Sequence, residues 1–182
     1  YEIALLLEKR LTELGATVVR LETDKYELPI EERAHVARQY GADLFISLHS
    51  NSAAETVQGV EAYYFTPYSQ PLAELVSASL SSYYENSVYK DGESRNRGAK
   101  YSYYWVTLQQ DFPSILLEMG FVSNYEEAMV LSDSAHQKKI AEAIADGISA
   151  YFARSGLSYI ESGSEDVPAS GDIPAGGDIV IE

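Results

Sequence analysis

The sequence predicts an α/β fold of three layers, in which a mostly parallel, twisted sheet is flanked by helices on both faces. Two short and nearly continuous apolar runs, at residues 43–48 and 114–117, are typical of strands that are covered on both sides. Amphipathic helical patterns lie between the strand patterns, as expected for a chain that crosses over a sheet to join parallel strands. The chain has 182 residues, enough for one domain with a substantial core.

The chain opens with a predicted helix, because apolar residues recur at intervals of four, four and three: Ile3, Leu7, Leu11 and Leu14. Gly15 is a suitable residue to end this helix, and residues 16–21 form the next predicted strand. A helix that leads directly into a strand is the second half of a βαβ unit. We therefore expect a further strand before Tyr1, lying beside residues 16–21 and 43–48.

A second helix is predicted to begin at Pro29, which is favourable in a first turn, and to run to Tyr40, whose side chain we expect to face inward. On this helix Arg33 is expected to be a surface charge, although it could instead reach loops near a site. His35 is expected to be exposed or to be a packing residue whose hydrogen bonds are satisfied. The predicted strand at residues 43–48 follows.

The middle of the chain is predicted to contain a strand at residues 59–66, a helix at 72–84 and a mobile polar loop at 86–100. Arg97 in this loop is either solvated or part of a clamp for a carboxylate. The aromatic segment 102–108 is predicted to be a strand, although tyrosine-rich segments also occur on saccharide-binding and peptide-binding surfaces.

Two capping boxes predict the last two helices, one from Asn124 to Glu127 and one from Ser134 to Gln137. The final helix carries an apolar stripe that consists of Ile140, Ile144, Ile148 and Tyr151. His136, in the first turn of that helix, is expected to be exposed.

The composition changes after the final helix. Residues 1–155 are predicted to form the folded domain, and residues 156–182 a disordered linker or tail, because this segment is rich in Gly, Ser, Pro and acids and has no sustained period. Removal of the tail is therefore expected to leave the stability of the domain nearly unchanged.

The net charge and the amino-acid composition exclude several classes of binding partner and metal site. The net charge is -15 and the pI about 4.5, which argues against nucleic acid and anionic membranes. The absence of cysteine excludes disulfides and thiolate zinc sites, so that His and carboxylates are the available strong metal ligands. The apolar start is too short for a signal peptide or a transmembrane span. We expect a monomer that does not insert into membranes.

Side chains that can bind a metal or transfer a proton follow the two buried strands, at the point where each strand ends. His49 follows residues 43–48, and Glu118 follows residues 114–117. The carboxyl ends of parallel strands are where open α/β sheets bind ligands. A metal ligand and a general base could meet there. Alternatively, His49 is structural, and Glu118 has emerged into solvent or pairs with an arginine.

Three sequence motifs resemble those of the zinc-dependent N-acetylmuramoyl-L-alanine amidases of bacterial autolysins and phage endolysins, the amidase_3 family. The motifs are ISLHSN at residues 46–51, NRG at 96–98 and PSILLEMGFVSN at 113–124. The resemblance covers residues 1 to about 152, and the order and spacing of the motifs make it specific.

By this resemblance His49 would be a zinc ligand, Glu118 the catalytic carboxylate, and Arg97 and Asn51 substrate-binding residues. The implied reaction is zinc-dependent hydrolysis of the amide between N-acetylmuramic acid and L-alanine in peptidoglycan, outside the bacterial cell or in its wall. The family uses two further zinc ligands, a His and a Glu, which by alignment would lie upstream of Tyr1. The chain as given is therefore expected to bind zinc weakly and to show no amidase activity.

Two other functions remain open at this point. The chain could be a non-catalytic module that binds or regulates the cell wall, because one of three expected zinc ligands is present. It could also be a metal-dependent hydrolase of a different amide.

Overall fold

The computed structural model describes residues 1–21, 28–155 and 178–181, and within these ranges a six-stranded sheet is flanked by helices. The strands are β1 (Thr17–Arg20), β2 (Leu44–Asn51), β3 (Val60–Tyr64), β4 (Asn96–Tyr101), β5 (Ser114–Phe121) and β6 (Asp178–Ile181). The helices are α1 (Glu2–Glu13), α2 (Ile30–Gln39), α3 (Gln70–Tyr83), α4 (Tyr125–Ser132) and α5 (Ser134–Ser155). No helix in the described ranges is long and apolar enough to cross a membrane.

The strands lie in the order β1, β6, β2, β5, β3 and β4. Every pair is parallel except β3 with β5, which is antiparallel. The predicted three-layer α/β fold with a mostly parallel sheet is confirmed. Because β3 is antiparallel to β5, residues near the start of β3 lie beside the carboxyl end of β5.

Alternate residues of the strands pack into two cores on opposite faces. Leu44 and Ile46 of β2 point into the larger core with α1, α3 and α5. Phe45 points into a smaller core with Ala37 of α2 and with Val106. The apolar stripe predicted for α5 is buried in the larger core. A strand with apolar residues on both faces is the pattern that predicted the buried strands.

The strand between β1 and β2 is β6, which comes from the far end of the chain. The sequence predicts a disordered tail over residues 156–182, and for Asp178–Ile181 this prediction is wrong; residues 156–177 and 182 lie outside the described residues. Ile179 pairs with both Val18 and Leu44 and is fully buried. Short β-branched runs fit a central strand, but four residues are too few to be recognised within a tail of opposite composition.

Two further local predictions are wrong around β4. Part of the predicted mobile loop, Asn96–Tyr101, is a paired edge strand. The predicted strand at residues 102–108 instead contains a 3-10 turn at Trp105–Thr107, in which the hydroxyl of Thr107 donates to the carbonyl of Tyr104 at 3.0 Å. An edge strand tolerates polar residues, and local hydrogen bonds override the β propensity of the aromatic residues.

Several side chains on the helices differ from expectation. Arg33 is buried and donates from Nε to the carbonyl of Leu28, whereas Tyr40 is exposed. His35 is exposed, as predicted. His136 is half-buried, with Nδ1 2.6 Å from the hydroxyl of Tyr83. Hydrophobic periodicity sets the face of a helix but does not show which polar side chains a neighbouring loop or helix will cover.

The caps of the last two helices differ in how well the sequence predicts them. Asn124 caps α4 as predicted, with its side chain accepting from the backbone N–H of Glu127. At α5 the predicted cap, Ser134, is replaced by Asp133, whose carboxylate accepts from the N–H groups of Ala135 and His136. Both residue types are favourable caps, and the turn that links the helices selects the aspartate.

Candidate active site

Three adjacent strands bring His49, Glu118 and Glu61 into one row across the sheet. His49 of β2 is the register partner of Glu118 of β5, and Glu118 is the partner of Glu61 of β3. Neighbouring strands in a sheet lie about 4.8 Å apart. The two residues singled out from the sequence, His49 and Glu118, are therefore side by side, and Glu61 joins them from a strand whose sequence did not mark it as a site.

His49 is half-buried near the end of β2. Its Nε2 atom lies 2.9 Å from the hydroxyl oxygen of Ser47, two residues earlier on the same face of the strand. This contact restrains the orientation of the imidazole. An imidazole nitrogen is a good ligand for zinc, and a hydrogen bond from the protein usually fixes its orientation.

Glu118 has an environment that favours its protonated form. Its Oε2 atom is buried and has no hydrogen-bond partner among the described residues. Burial, and secondly the charge of Glu61, raise the pKa of Glu118 to about 7. A carboxyl group with such a pKa can accept and return a proton near neutral pH, which is what general acid–base catalysis requires.

Glu61 has the opposite environment, although it is also buried. Its Oε1 atom accepts from Arg97 Nε and Lys100 Nζ, each at 2.5 Å. Its Oε2 atom accepts from the hydroxyl of Tyr63 at 2.6 Å and from Asn51 Nδ2 at 3.3 Å. Burial alone would raise the pKa of Glu61, but the bonds from Lys100, Tyr63 and Arg97 outweigh it and lower the pKa to about 2. Glu61 is therefore a permanent negative charge beside Glu118.

The two residues predicted to bind substrate both contact Glu61. Arg97 lies at the start of β4, with its guanidinium carbon 5.3 Å from the centroid of the Phe121 ring. Asn51 uses both ends of its amide within the chain, since Oδ1 accepts from the N–H of Ser52 and Nδ2 donates to Glu61. The available signal for Glu61 in the sequence was a single acidic residue inside the strand pattern GVEAYYF.

A buried carboxylate at the start of α4 holds β3 against β5. Glu127 accepts from the backbone N–H of Gly59 at 2.8 Å and from that of Phe121 at 2.7 Å. Gly59 has a φ of +112°, and a Cβ atom there would lie 2.6 Å from the carbonyl oxygen of Arg95. These contacts set the position at which β3 begins, and hence the pairing of Glu61 with Glu118.

A catalytic zinc ion needs three protein ligands and one open position. In the ranges that the structure describes, no group of three His, Cys, Asp or Glu residues could hold a metal ion. Among the residues that the structure describes, His49 is the one member of the implied ligand set, and the carboxylate of Glu61 already binds two cations. The described residues therefore do not make up a complete zinc site.

The fold is that of an α/β domain, and the row of acidic and imidazole side chains at the carboxyl ends of β2 and β5 is its candidate site. Residues 1–150 match the family model described as Amidase_3, N-acetylmuramoyl-L-alanine amidase. The chain belongs to this family, as the sequence motifs indicated.

Relatives of known sequence support the assignment. The chain is 34% identical over 143 residues to YqiI of Bacillus subtilis, described as uncharacterized, covering 79% of this chain and 68% of that protein. It is 28% identical over 147 residues to the probable cell wall amidase LytH of Staphylococcus aureus, covering 80% of this chain. The chain spans 46% of the length of LytH.

Solved structures show the same architecture. The catalytic domain of CwlV, an N-acetylmuramoyl-L-alanine amidase from Bacillus (Paenibacillus) polymyxa var. colistinus, superposes with a TM-score of 0.71 at 29% identity, covering 83% of this chain and 81% of that chain. An N-acetylmuramoyl-L-alanine amidase from Clostridium difficile 630 superposes with a TM-score of 0.75 at 27% identity, covering 84% of this chain and 81% of that chain.

Proposed function

We propose that this domain hydrolyses the amide bond between N-acetylmuramic acid and L-alanine in bacterial peptidoglycan, with Glu118 as the catalytic carboxylate. The observation that carries the proposal is the environment of Glu118, whose pKa of about 7 and unpartnered buried oxygen suit a group that moves a proton. Membership of the amidase family supplies the reaction class. The site of action is then the cell wall or the extracellular space.

The proton transfers follow from the position of Glu118. The ionised carboxylate takes a proton from the water that attacks the amide carbonyl, and the carbon–nitrogen bond breaks as the same group returns the proton to the leaving amine of L-alanine. The products are the free lactyl carboxylate of the sugar and a new amino terminus on the peptide.

Zinc is the cofactor that the family implies, and His49 is proposed as one of its ligands. A catalytic zinc ion lowers the pKa of its bound water to about 7 and polarises the carbonyl under attack. The described residues provide His49 toward such a site, short of the three ligands required.

Arg97 and Asn51 are proposed to contribute to substrate binding in different ways. Arg97 uses Nε to bind Glu61, and among the described residues its two terminal guanidinium nitrogens have no hydrogen-bond partner, which suits them to a carboxylate of the peptide. Asn51 acts on the substrate indirectly, since its amide holds Glu61 in place.

A second function is favoured by one specific observation. Because the described residues fall short of a zinc ligand set, the domain could bind peptidoglycan without cleaving it. Such a module would retain the fold and the substrate-binding face and would not need the proton transfers of Glu118.

The test is hydrolysis and binding of purified sacculi by the protein expressed from its complete gene. New amino termini are quantified after incubation, and sedimentation with sacculi measures binding. We expect release of L-alanyl amino termini, and a decrease of about 10²–10⁴-fold in rate for Glu118→Gln without loss of binding. Glu74→Gln, at an exposed glutamate of α3, is the matched control and should keep the full rate.

The outcomes separate the two functions. Sacculi that are bound with no new amino termini released would replace the amidase by the binding module. A Glu118→Gln variant with a normal rate would remove the catalytic role of Glu118 and leave the amidase assignment in place.

A further inference from the structure

We propose that Arg97 and Lys100 together form an anion subsite, and that this subsite recognises a free carboxylate on the residue that follows L-alanine in the peptide. The inference rests on the proposed function, because it names the part of the same substrate that the site would select. It adds Lys100 to the site and distinguishes a free carboxyl from an amidated one.

Arg97 and Lys100 share one carboxylate oxygen of Glu61. Arg97 Nε and Lys100 Nζ both lie 2.5 Å from the same oxygen of Glu61, so the two nitrogens are at most twice that distance apart. Two cations this close repel each other, and both share the single negative charge of Glu61, although the charge of Glu127 also acts on Arg97. A carboxylate from a ligand would reduce the remaining repulsion between the two cations.

Glu61 cannot adjust to bind the two cations more evenly. Its other oxygen is held by the hydroxyl of Tyr63 and by Asn51 Nδ2. Because both oxygens accept hydrogen bonds and the side chain is buried, the Glu61 carboxylate is held in one position next to the two cations. The cations are thereby arranged before any ligand arrives, which reduces the entropy lost on binding.

The outer sides of both cations are accessible. The side chain of Glu61 is 4% exposed, whereas those of Arg97 and Lys100 are 40% and 37% exposed. Across the described ranges, the terminal nitrogens of Arg97 have no hydrogen-bond partner. A partly exposed guanidinium suits bidentate binding of a carboxylate through its terminal nitrogens, and a neighbouring ammonium adds a second charge-assisted hydrogen bond.

The position of the subsite fits the second residue of the peptide. Lys100 is on β4, one strand beyond Glu61 and two strands beyond Glu118. Glu61 is one strand spacing, about 4.8 Å, from Glu118, and Arg97 Nε and Lys100 Nζ both lie 2.5 Å from Glu61 Oε1. An extended peptide spans about 3.3–3.6 Å per residue, so the two residues that follow the scissile amide cover a comparable distance. A carboxylate on the residue after L-alanine is therefore within reach when the scissile amide lies at Glu118.

The charge of the whole chain affects how an anionic ligand binds. The net charge is -15, so a ligand carboxylate is repelled by the chain as a whole and needs local cations beside the site to bind. The competing explanation is that the cluster only fastens β4 to β3. In that case, a ligand with a free carboxyl and a ligand with an amidated carboxyl would bind with the same affinity.

The experiment compares two muramoyl dipeptides that differ only in whether the carboxyl of the second residue is free or amidated. Their affinities are measured by calorimetry at low ionic strength, with Glu118→Gln present in every protein so that the ligands are not cleaved. We expect the free carboxylate to bind about 10-fold more tightly than the amide, and Lys100→Met to remove most of that preference. Lys100→Arg, which keeps the charge, should retain the preference.

Lys138→Met, at an exposed lysine of α5, is the matched control and should behave as the parent protein. Equal affinity for the two ligands in the parent, or an equal loss for both ligands with Lys100→Met, would overturn the subsite while leaving the amidase in place. If neither ligand binds the parent, the proposed function is refuted, and the subsite is refuted with it.

Discussion

Two glutamates on neighbouring strands differ in pKa because of their hydrogen bonds. Glu61 and Glu118 are direct cross-strand partners, and burial raises the pKa of both. Glu61 receives two cations and a hydroxyl, which lower its pKa to about 2. Glu118 keeps an oxygen without a partner in the described ranges, and the charge of Glu61 adds to the effect of burial. The pair thus provides one permanent anion and one group that can exchange a proton.

Glu118 should make the stability of the domain depend on pH. Its pKa of about 7 in the folded protein lies above the ordinary value of 4.5. The stabilisation associated with the protonated form is therefore fully present below pH 4.5 and is lost as the pH rises through about 7. We expect Glu118→Gln to be more stable than the parent at pH 8 by about 1–2 kcal/mol, less than the full shift implies because the side chain is half-buried.

Thermal unfolding at pH 5 and pH 8 measures this effect. The difference between variant and parent should be small at pH 5 and clear at pH 8, and Glu74→Gln should show no such trend. A difference of the same size at both pH values would mean that Glu118 titrates normally in the folded protein.

At the scale of elements, the start of α4 controls the start of β3. The sequence predicts a capping box between Asn124 and Glu127, and the structure keeps the half in which Asn124 accepts from the backbone of Glu127. The carboxylate of Glu127 instead bonds the N–H groups of Gly59 and Phe121, on two different strands. Glu127, which the sequence suggests is part of a helix cap, therefore holds β3 and β5 in register at the candidate site.

Glu127→Gln should destabilise the domain by about 1–3 kcal/mol, because an amide can accept only one of the two backbone N–H groups and leaves the other without a buried acceptor. Urea unfolding monitored by circular dichroism measures the change. Glu126→Gln, at the exposed neighbouring position on the same turn, should stay within about 0.5 kcal/mol of the parent. Similar midpoints for the two variants would show that the bonds from Glu127 contribute little.

At the scale of the whole molecule, the continuity of the sheet depends on its most distant segment. β6 pairs with β1 on one side and β2 on the other, and Ile179, Val180 and Ile181 are fully buried. Without β6, the pairing that joins β1 to the rest of the sheet would be lost. We therefore expect removal of the end of the chain to destabilise the domain, in contrast to the prediction from composition.

Val180→Asp should therefore unfold or strongly destabilise the domain, by more than about 4 kcal/mol, since it places a charge in the core beside α2. Val122→Asp, at an exposed valine after β5, serves as the control and should cost far less. The midpoint of urea unfolding is measured for both variants. A Val180→Asp variant as stable as the parent would show that β6 does not hold the sheet together.

The sequence by itself determined the buried strands, the amphipathic helices and the meeting of His49 with Glu118, because periodicity and strand ends are local properties. Its motifs also indicated the amidase family. The tertiary structure alone decided that Glu61 lies opposite Glu118, that polar residues 96–101 form an edge strand, and that residues 178–181 form an interior strand between β1 and β2. These outcomes depend on which strands pair and in what register, and strand pairing is set by contacts between segments far apart in the chain.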